Sequence, residues 1–437
     1  MKRLWLVLLS LGLLTVFSTS AWAVDVKFSG EFYAAGMYLN KTSLTKDTSP
    51  ATAFYYQRLR MKTDLIVSPG LTLVTRIDAL ERAWGAARSI PGTTLALDSA
   101  GTRAENENIA FDWAYIDYKS PIGAFAVGIM NDGSTGTVFG NSLSSQARIK
   151  YSYPIGPVAL NLAYTKVREG NYTAINPATA ADYDNDKYGV EAVYKGKDVR
   201  AGMNANYYRY ANTRPTANNK RTYYLFTPYA IAKIGPVALQ AELNYATGKY
   251  TETDSGVGDV KMENLSGWID ATATFGPVYF GGSFAYVSGD DPNTTDKREG
   301  GSISGGRDWS PTLIMYNYDR AMWLGELAST ATTGNGFGTS GLANGFLYQG
   351  RIGVMPTEKL NIMTSFTYAS ADKKPANYVS DKYGYELDVT AAYKITTNLT
   401  YMLGAGYLWT GDYFKGTGAA NGVQDDYMVI SKLTLTF

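Results

Sequence analysis

Hydrophobic residues recur at every second position through most of this chain, in segments of about ten residues. In FYYQRLRMKTDLIV, Tyr55, Leu59, Met61, Leu65 and Val67 alternate with Arg58, Arg60, Lys62 and Asp64. VALNLAY sets Val158, Leu160, Leu162 and Tyr164 against Ala159, Asn161 and Ala163, and VALQAELNY sets Leu239 and Leu243 against Gln240, Glu242 and Asn244. YGYELDVTAAY does the same with Tyr385, Leu387 and Val389 against Glu386, Asp388 and Thr390. A period of two predicts β-strands with one apolar and one polar face. Carboxylates and guanidiniums cannot be buried unpaired in a dry core, so the polar faces must meet water.

The connections between these segments alternate in length. Short turns such as Ser68-Pro69-Gly70, Ile155-Gly156-Pro157, Gly235-Pro236 and Gly276-Pro277 carry the residues that preset turn dihedrals. Between them lie long polar stretches near 41–52, 85–107, 131–146, 168–186, 212–220, 251–261, 290–344, 371–381 and 411–425. Short turns at one end and long loops at the other predict an all-β fold, a transmembrane antiparallel β-barrel of about 18 strands, with 16 the alternative. The first strand falls near 24–39 and the last near 426–437, with both termini on the short-turn side. WSPTLIMYNYDRAMWL, inside 290–344, is apolar enough to form a further hairpin, a gate in the pore mouth or a subunit contact.

A large soluble β-sandwich, propeller or β-helix also alternates. It would not place Tyr at both ends of so many apolar faces, as with Tyr383 and Tyr393. Tyrosine girdles at the two membrane interfaces account for them. The N-terminus agrees with export. Lys2 and Arg3, an apolar run from Leu4 to Phe17, and Ala21-Trp22-Ala23 read as a signal peptide over 1–23, leaving 24–437 as one barrel domain.

Composition narrows the function classes. The chain has no Cys and no His, which removes disulfide scaffolds, Cys or His metal sites and Ser-His-Asp catalysis. No enzyme activity, metal site or cofactor is expected. The 40 basic and 39 acidic residues nearly cancel, which argues against a nucleic-acid partner. The final strand, YMVISKLTLTF, puts Tyr427 and the terminal Phe437 on its apolar face, a pattern that resembles the assembly signal of outer-membrane barrels.

Three stretches resemble outer-membrane porins. YYQRLRMKTDLIVSPGLTL is similar to the second hairpin of general porins, WAYIDYKSPIGAFAVGIM to a later hairpin, and SSQARIKYSYPIGPVALNLAYT to the strand after the inward-folded loop. The resemblance covers about residues 53–165. A second, shorter one, FAYVSGDDPN followed by RDWSPTLIMYN, is similar to the eighteen-stranded alginate-export barrels. The loop matching the porin constriction, NDGSTGTVFGNSLSS, lacks the family's acidic cluster and keeps only Asp132.

By strand register, Arg58, Arg60, Lys62, Arg76, Arg82, Arg148 and Lys150 form a basic lumenal wall. Asp64, Asp78, Glu242, Asp270, Glu386 and Asp388 are the acidic lumenal residues. The charges either set a transverse field or pair into ladders that hold the wall. The resemblance implies a passive diffusion channel for small hydrophilic solutes and ions in the outer membrane of a Gram-negative bacterium. The partners it implies are outer-membrane lipid and lipopolysaccharide, the barrel-assembly machinery and two further copies in a homotrimer. The alternatives are a substrate-specific channel for sugars, polysaccharide or organic anions, and a closed structural barrel or adhesin.

Overall fold

The computed structural model describes residues 24–44, 46–47, 50–86, 109–133, 136–140, 144–170, 183–325, 327, 342–418 and 422–437. The signal peptide expected over 1–23 and most of the loop 85–107 lie outside the described residues. Eighteen long antiparallel strands close into a barrel. In chain order they are β1 (Asp25–Leu39), β2 (Thr52–Ser68), β3 (Leu71–Ala83), β4 (Ile109–Ser120), β5 (Gly123–Asn131) and β6 (Ser145–Ile155). Then come β7 (Val158–Arg168), β8 (Asn185–Lys195), β9 (Val199–Tyr210), β10 (Asn219–Ile234), β11 (Val237–Thr253) and β12 (Val260–Phe275). The last six are β13 (Val278–Val287), β14 (Gly345–Thr357), β15 (Leu360–Ser370), β16 (Lys382–Lys394), β17 (Leu399–Thr410) and β18 (Asp426–Thr436).

Every strand pairs with its sequence neighbours, and β18 pairs with β1 from Glu31↔Thr436 to Leu39↔Met428. The terminal Phe437 extends the seam, exchanging backbone hydrogen bonds of 2.7 and 3.1 Å with Gly30. Closure of β18 on β1 leaves no open sheet edge, which is what a lipid environment demands. Three of the short turns share one chemistry. Gly156, Gly235 and Gly276 each take φ of +57° and precede a Pro, in two-residue connections closed by Ile155↔Val158, Ile234↔Val237 and Phe275↔Val278. Glycine at the first central position is what a II′ hairpin turn requires, and its twist matches the flanking strands.

The wall is inverted relative to a soluble protein. Leu162, Val190, Ile269, Phe280, Ile352, Leu387 and Leu403 stand exposed on the outside, while Arg76, Glu191, Asn206, Glu242, Ser283 and Thr367 are buried within. Tyr164, Tyr188, Tyr207 and Tyr224 form an outward row across β7 to β10, with ring centroids 5.3, 6.4 and 5.1 Å apart. Phenol rings that bury an apolar body and present a hydroxyl suit the headgroup level of a membrane. The buried hydrophobic cluster is not a sheet-on-sheet core. It sits inside the barrel, where Phe139, Trp309, Leu313, Ile314, Met315 and Tyr316 of two loops pack on Tyr33, Tyr56, Trp268 and Leu408 of the wall.

Candidate functional site

Two loops fold into the lumen, and each is anchored by wall carboxylates. The first joins β5 to β6. Its stems are drawn together by the Asn131 carboxamide oxygen, which accepts from Gly133 N at 2.9 Å and Ser144 N at 3.3 Å. Asp132 at its base bridges Arg148 at 3.1 Å and Lys187 at 2.9 Å. The tip reaches β11, where Thr137 donates to one Glu242 oxygen from its backbone N at 2.7 Å and its hydroxyl at 2.8 Å. Phe139, fully buried, then stacks on Trp268 of β12 at 5.9 Å and meets Trp309 edge-on at 5.0 Å. A chain short of charge and rich in Gly and Ser crosses the lumen without carrying unpaired ions into it.

The second loop joins β13 to β14 and supplies Trp309, so the two loops touch. A 3-10 turn, Gly306–Asp308, leads into its apolar stretch, which ends in a helix, Tyr318–Leu324, rather than forming a hairpin. The Asn317 side chain caps the helix by accepting from Arg320 N at 2.8 Å, as an N-cap asparagine does. Glu386 of β16 accepts from Ile314 N at 2.5 Å and Met315 N at 2.8 Å, and Gln349 donates to Pro311 O at 2.6 Å. Gly404 and Gly406 on β17 leave room for Leu313; a Cβ at Gly404 would lie 3.1 Å from its side chain. On the opposite flank Arg307 donates to Asp319 at 2.6 Å, to Glu81 at 2.9 Å and to the Tyr33 hydroxyl at 3.1 Å. Burial opposes the Arg307 charge, but the Asp319 and Glu81 carboxylates more than offset it and hold its pKa above the usual value. Arg320, 2% exposed, has the opposite balance: burial pushes it down to about 10, and one hydrogen bond to Gly325 O at 2.8 Å holds it.

The arginines of β2 and β3 form a ladder with carboxylates between the rungs. Arg58 contacts Glu31 at 3.2 Å, Asp78 at 3.9 Å and Glu81 at 4.0 Å. Arg60 grips Asp78 with two hydrogen bonds of 2.6 and 2.5 Å and reaches Asp112 at 3.3 Å. Arg76 donates to Asp112 at 3.0 and 2.7 Å and lies 3.6 Å from the Trp113 ring centroid. Lys62 pairs with Asp64 at 2.7 Å. The charges expected to form a basic wall are therefore largely neutralised along these strands.

One expected lumenal residue faces the other way. Leu80 takes φ of +57°, and the pairing of β2 with β3 slips between Leu59↔Ala79 and Gln57↔Arg82. A bulge inserts one residue and reverses which side chains point inward. Arg82 therefore shares its face with Gln57 on the outside, and Glu81 takes the lumenal position that strict alternation assigned to it. Three expected pore-lining acids are covered rather than open: Glu242 beneath the first loop, and Glu386 and Asp388 beneath the second. Asp270 is held by Arg351 at 2.6 and 2.7 Å. Asp132, expected at the constriction, pins the loop's base instead. Tyr427 and Phe437 stand on the outer face. Alternation alone did not reveal Glu31, Glu81, Asp112, Lys187, Arg307 and Asp319 as partners, because pairing across strands and loops depends on register and docking.

Beside β4, β5 and β6 the lumen holds a cavity of about 320 Å³, walled by Trp113, Tyr115, Asp117, Met130, Arg148 and Lys150. Arg148 is held by Asp132, whereas Lys150 and Asp117 make no side-chain hydrogen bond or ion pair among the described residues.

Closed wall, polar lumen, tyrosine belt and inward loops define an outer-membrane β-barrel of the porin fold. Among solved structures, Acinetobacter baumannii OccAB3 aligns with a TM-score of 0.53 and 13% identity, over 94% of this chain and 100% of that one. The outer membrane protein OpdK of Pseudomonas aeruginosa aligns at 0.52 and 12% identity, over 94% and 99%, and has also been solved with vanillate. Pseudomonas aeruginosa OccK11 (OpdR) aligns at 0.52 and 12%, over 94% and 96%. No protein-family profile and no curated protein sequence matches the chain.

Proposed function

We propose that this protein is an outer-membrane channel that admits small hydrophilic solutes through a lumen narrowed by the loops 131–146 and 290–344. The observation that carries the reading is the crossing of the first loop, from Asp132 on its own side to Glu242 and Trp268 on the other. A merely structural barrel has no need of a polar lumen spanned by a loop of this kind. Two docked loops restrict the passage, which favours selective entry over general sieving. The ion-paired ladder on β2 and β3 contributes local dipoles more than net positive charge.

A second reading, a channel for organic anions, draws support from Arg148 and Lys150 beside Trp113, and from OpdK having been crystallised with the aromatic carboxylate vanillate. The trimer implied by the porin resemblance would meet along flat outer positions such as Ala271 and Gly282. Gly281 beside them faces the lumen, under Arg351. Influx of graded sugars and organic acids into liposomes holding the purified barrel tests the channel reading. Swelling that falls steeply with solute size and differs between sugars and organic acids of equal size is expected; impermeable liposomes with a folded barrel would overturn it.

A further inference from the structure

The lumenal cavity presents both an acid and a base that make no direct ion pair among the described residues. Asp117 on β4 stands opposite Ala126 on β5, and Ala126 stands opposite Lys150 on β6. All three belong to one cross-strand row, and all line the cavity. Neighbouring strands lie about 4.8 Å apart, so the two charged residues start about 10 Å from each other at their Cα atoms, with only a methyl group between. Of the other charges near Lys150, Arg148 is held by Asp132, whereas Glu191 on β8, which accepts from Asn161 at 2.8 Å, acts on Lys150 through space without closing into an ion pair with it. Elsewhere on the wall, neighbouring charges of opposite sign close into contacts, as Arg60 does with Asp78 and Arg351 with Asp270. Here they do not.

We propose that this cavity recognises a zwitterion, an α-amino acid with an apolar or aromatic side chain, holding its ammonium at Asp117 and its carboxylate at Lys150. The inference rests on the channel reading above and names its substrate class. A carboxylate between two hydrogen-bond partners suits Lys150, whose ammonium is a compact point charge with three donors. A simple anion would satisfy Lys150 but sit beside the unpaired Asp117 carboxylate; a simple cation would meet the reverse. Only a solute carrying both signs a few ångströms apart answers both groups. Met130, Tyr115 and Trp113, the last covered on one side by the Arg76 guanidinium, give its side chain an apolar wall.

The test compares uptake of phenylalanine, 3-phenylpropionate and 2-phenylethylamine into liposomes holding the full barrel, with arabinose uptake reporting an open, folded channel in every variant. Phenylalanine is expected to enter faster than either single-charge analogue by about threefold to fivefold, the worth of a water-exposed charge contact. Asp117→Asn should erase its advantage over 3-phenylpropionate, and Lys150→Gln its advantage over 2-phenylethylamine. Preferred entry of 3-phenylpropionate, with a ratio unchanged in Asp117→Asn, would overturn the inference in favour of an anion channel. Equal entry of all three would overturn it while leaving the channel reading intact. Exclusion of arabinose and all three from a folded wild-type barrel would overturn both.

Discussion

Releasing the first loop is the perturbation whose size the structure sets most clearly. The tip is held at two points: the Glu242 carboxylate, buried at 4% exposure, and the Phe139 ring between Trp268 and Trp309. Hydrogen bonds to a charged group contribute about 1.5–3 kcal/mol each. Glu242→Ala removes two of them, at 2.7 and 2.8 Å, though water reaching the freed Thr137 groups recovers part. A net loss of about 2–3 kcal/mol shifts the docked-to-undocked ratio by about 30- to 150-fold. Phe139→Ala removes a further anchor worth about 3–5 kcal/mol. Single-channel recording in planar bilayers should therefore show a graded response. Glu242→Ala should flicker to a larger open level, and the double variant Glu242→Ala/Phe139→Ala should reside there. Conductance and noise identical to wild type in the double variant, with the barrel folded, would refute the claim that this loop narrows the passage.

Three further outcomes follow from the same geometry. Arg60→Ala should lower the temperature at which the folded barrel loses its heat-modifiable migration, because it strips two hydrogen bonds from Asp78; the cost is about 1.5–3 kcal/mol. An unchanged transition would mean that Arg58, 3.9 Å from Asp78, compensates fully. Arg320→Met should leave that transition unchanged or raised, since a buried guanidinium with one hydrogen bond is replaced by an apolar side chain of similar length; a marked drop would show that its charge holds the loop. The loop between β11 and β12 should hold its order far into acid. Lys249 and the Thr253 backbone N–H keep the Asp259 carboxyl down at about 2, so this contribution is present above the ordinary carboxylate pKa and lost as pH falls through about 2. Limited proteolysis that opens this loop already near pH 4 would contradict it.

The barrel was legible because its signals are local and repeated. Period-two alternation put Leu387 outside and Glu386 inside, and Gly-Pro at 156–157, 235–236 and 276–277 marked tight turns with little ambiguity. The lumen was less legible. A single bulge at Leu80 turns Arg82 outward and Glu81 inward, and no residue type at that point announces it. Reading Glu242 and Glu386 as open pore charges failed for a different reason: each is a docking point for backbone N–H groups more than a hundred or some seventy residues away in sequence. Alternation groups Arg58, Arg60 and Arg76 in one row, but Asp112 and Glu31 enter it only once strand register is known. The apolar character of WSPTLIMYNYDRAMWL did point inward, because such a segment cannot hang in water; its helical form depends on the wall it packs against.

The most direct test of the account is single-channel conductance and reversal potential of the wild-type barrel in a planar bilayer under a salt gradient. The ion-paired ladder and docked loops predict a steady, small conductance with weak ion preference that changes little in Arg58→Ala/Glu31→Ala, where a pair is removed together. Silence from a folded barrel would contradict the channel itself. Strong anion preference, abolished by Arg58→Ala/Arg60→Ala, would contradict the paired ladder and restore a net basic wall.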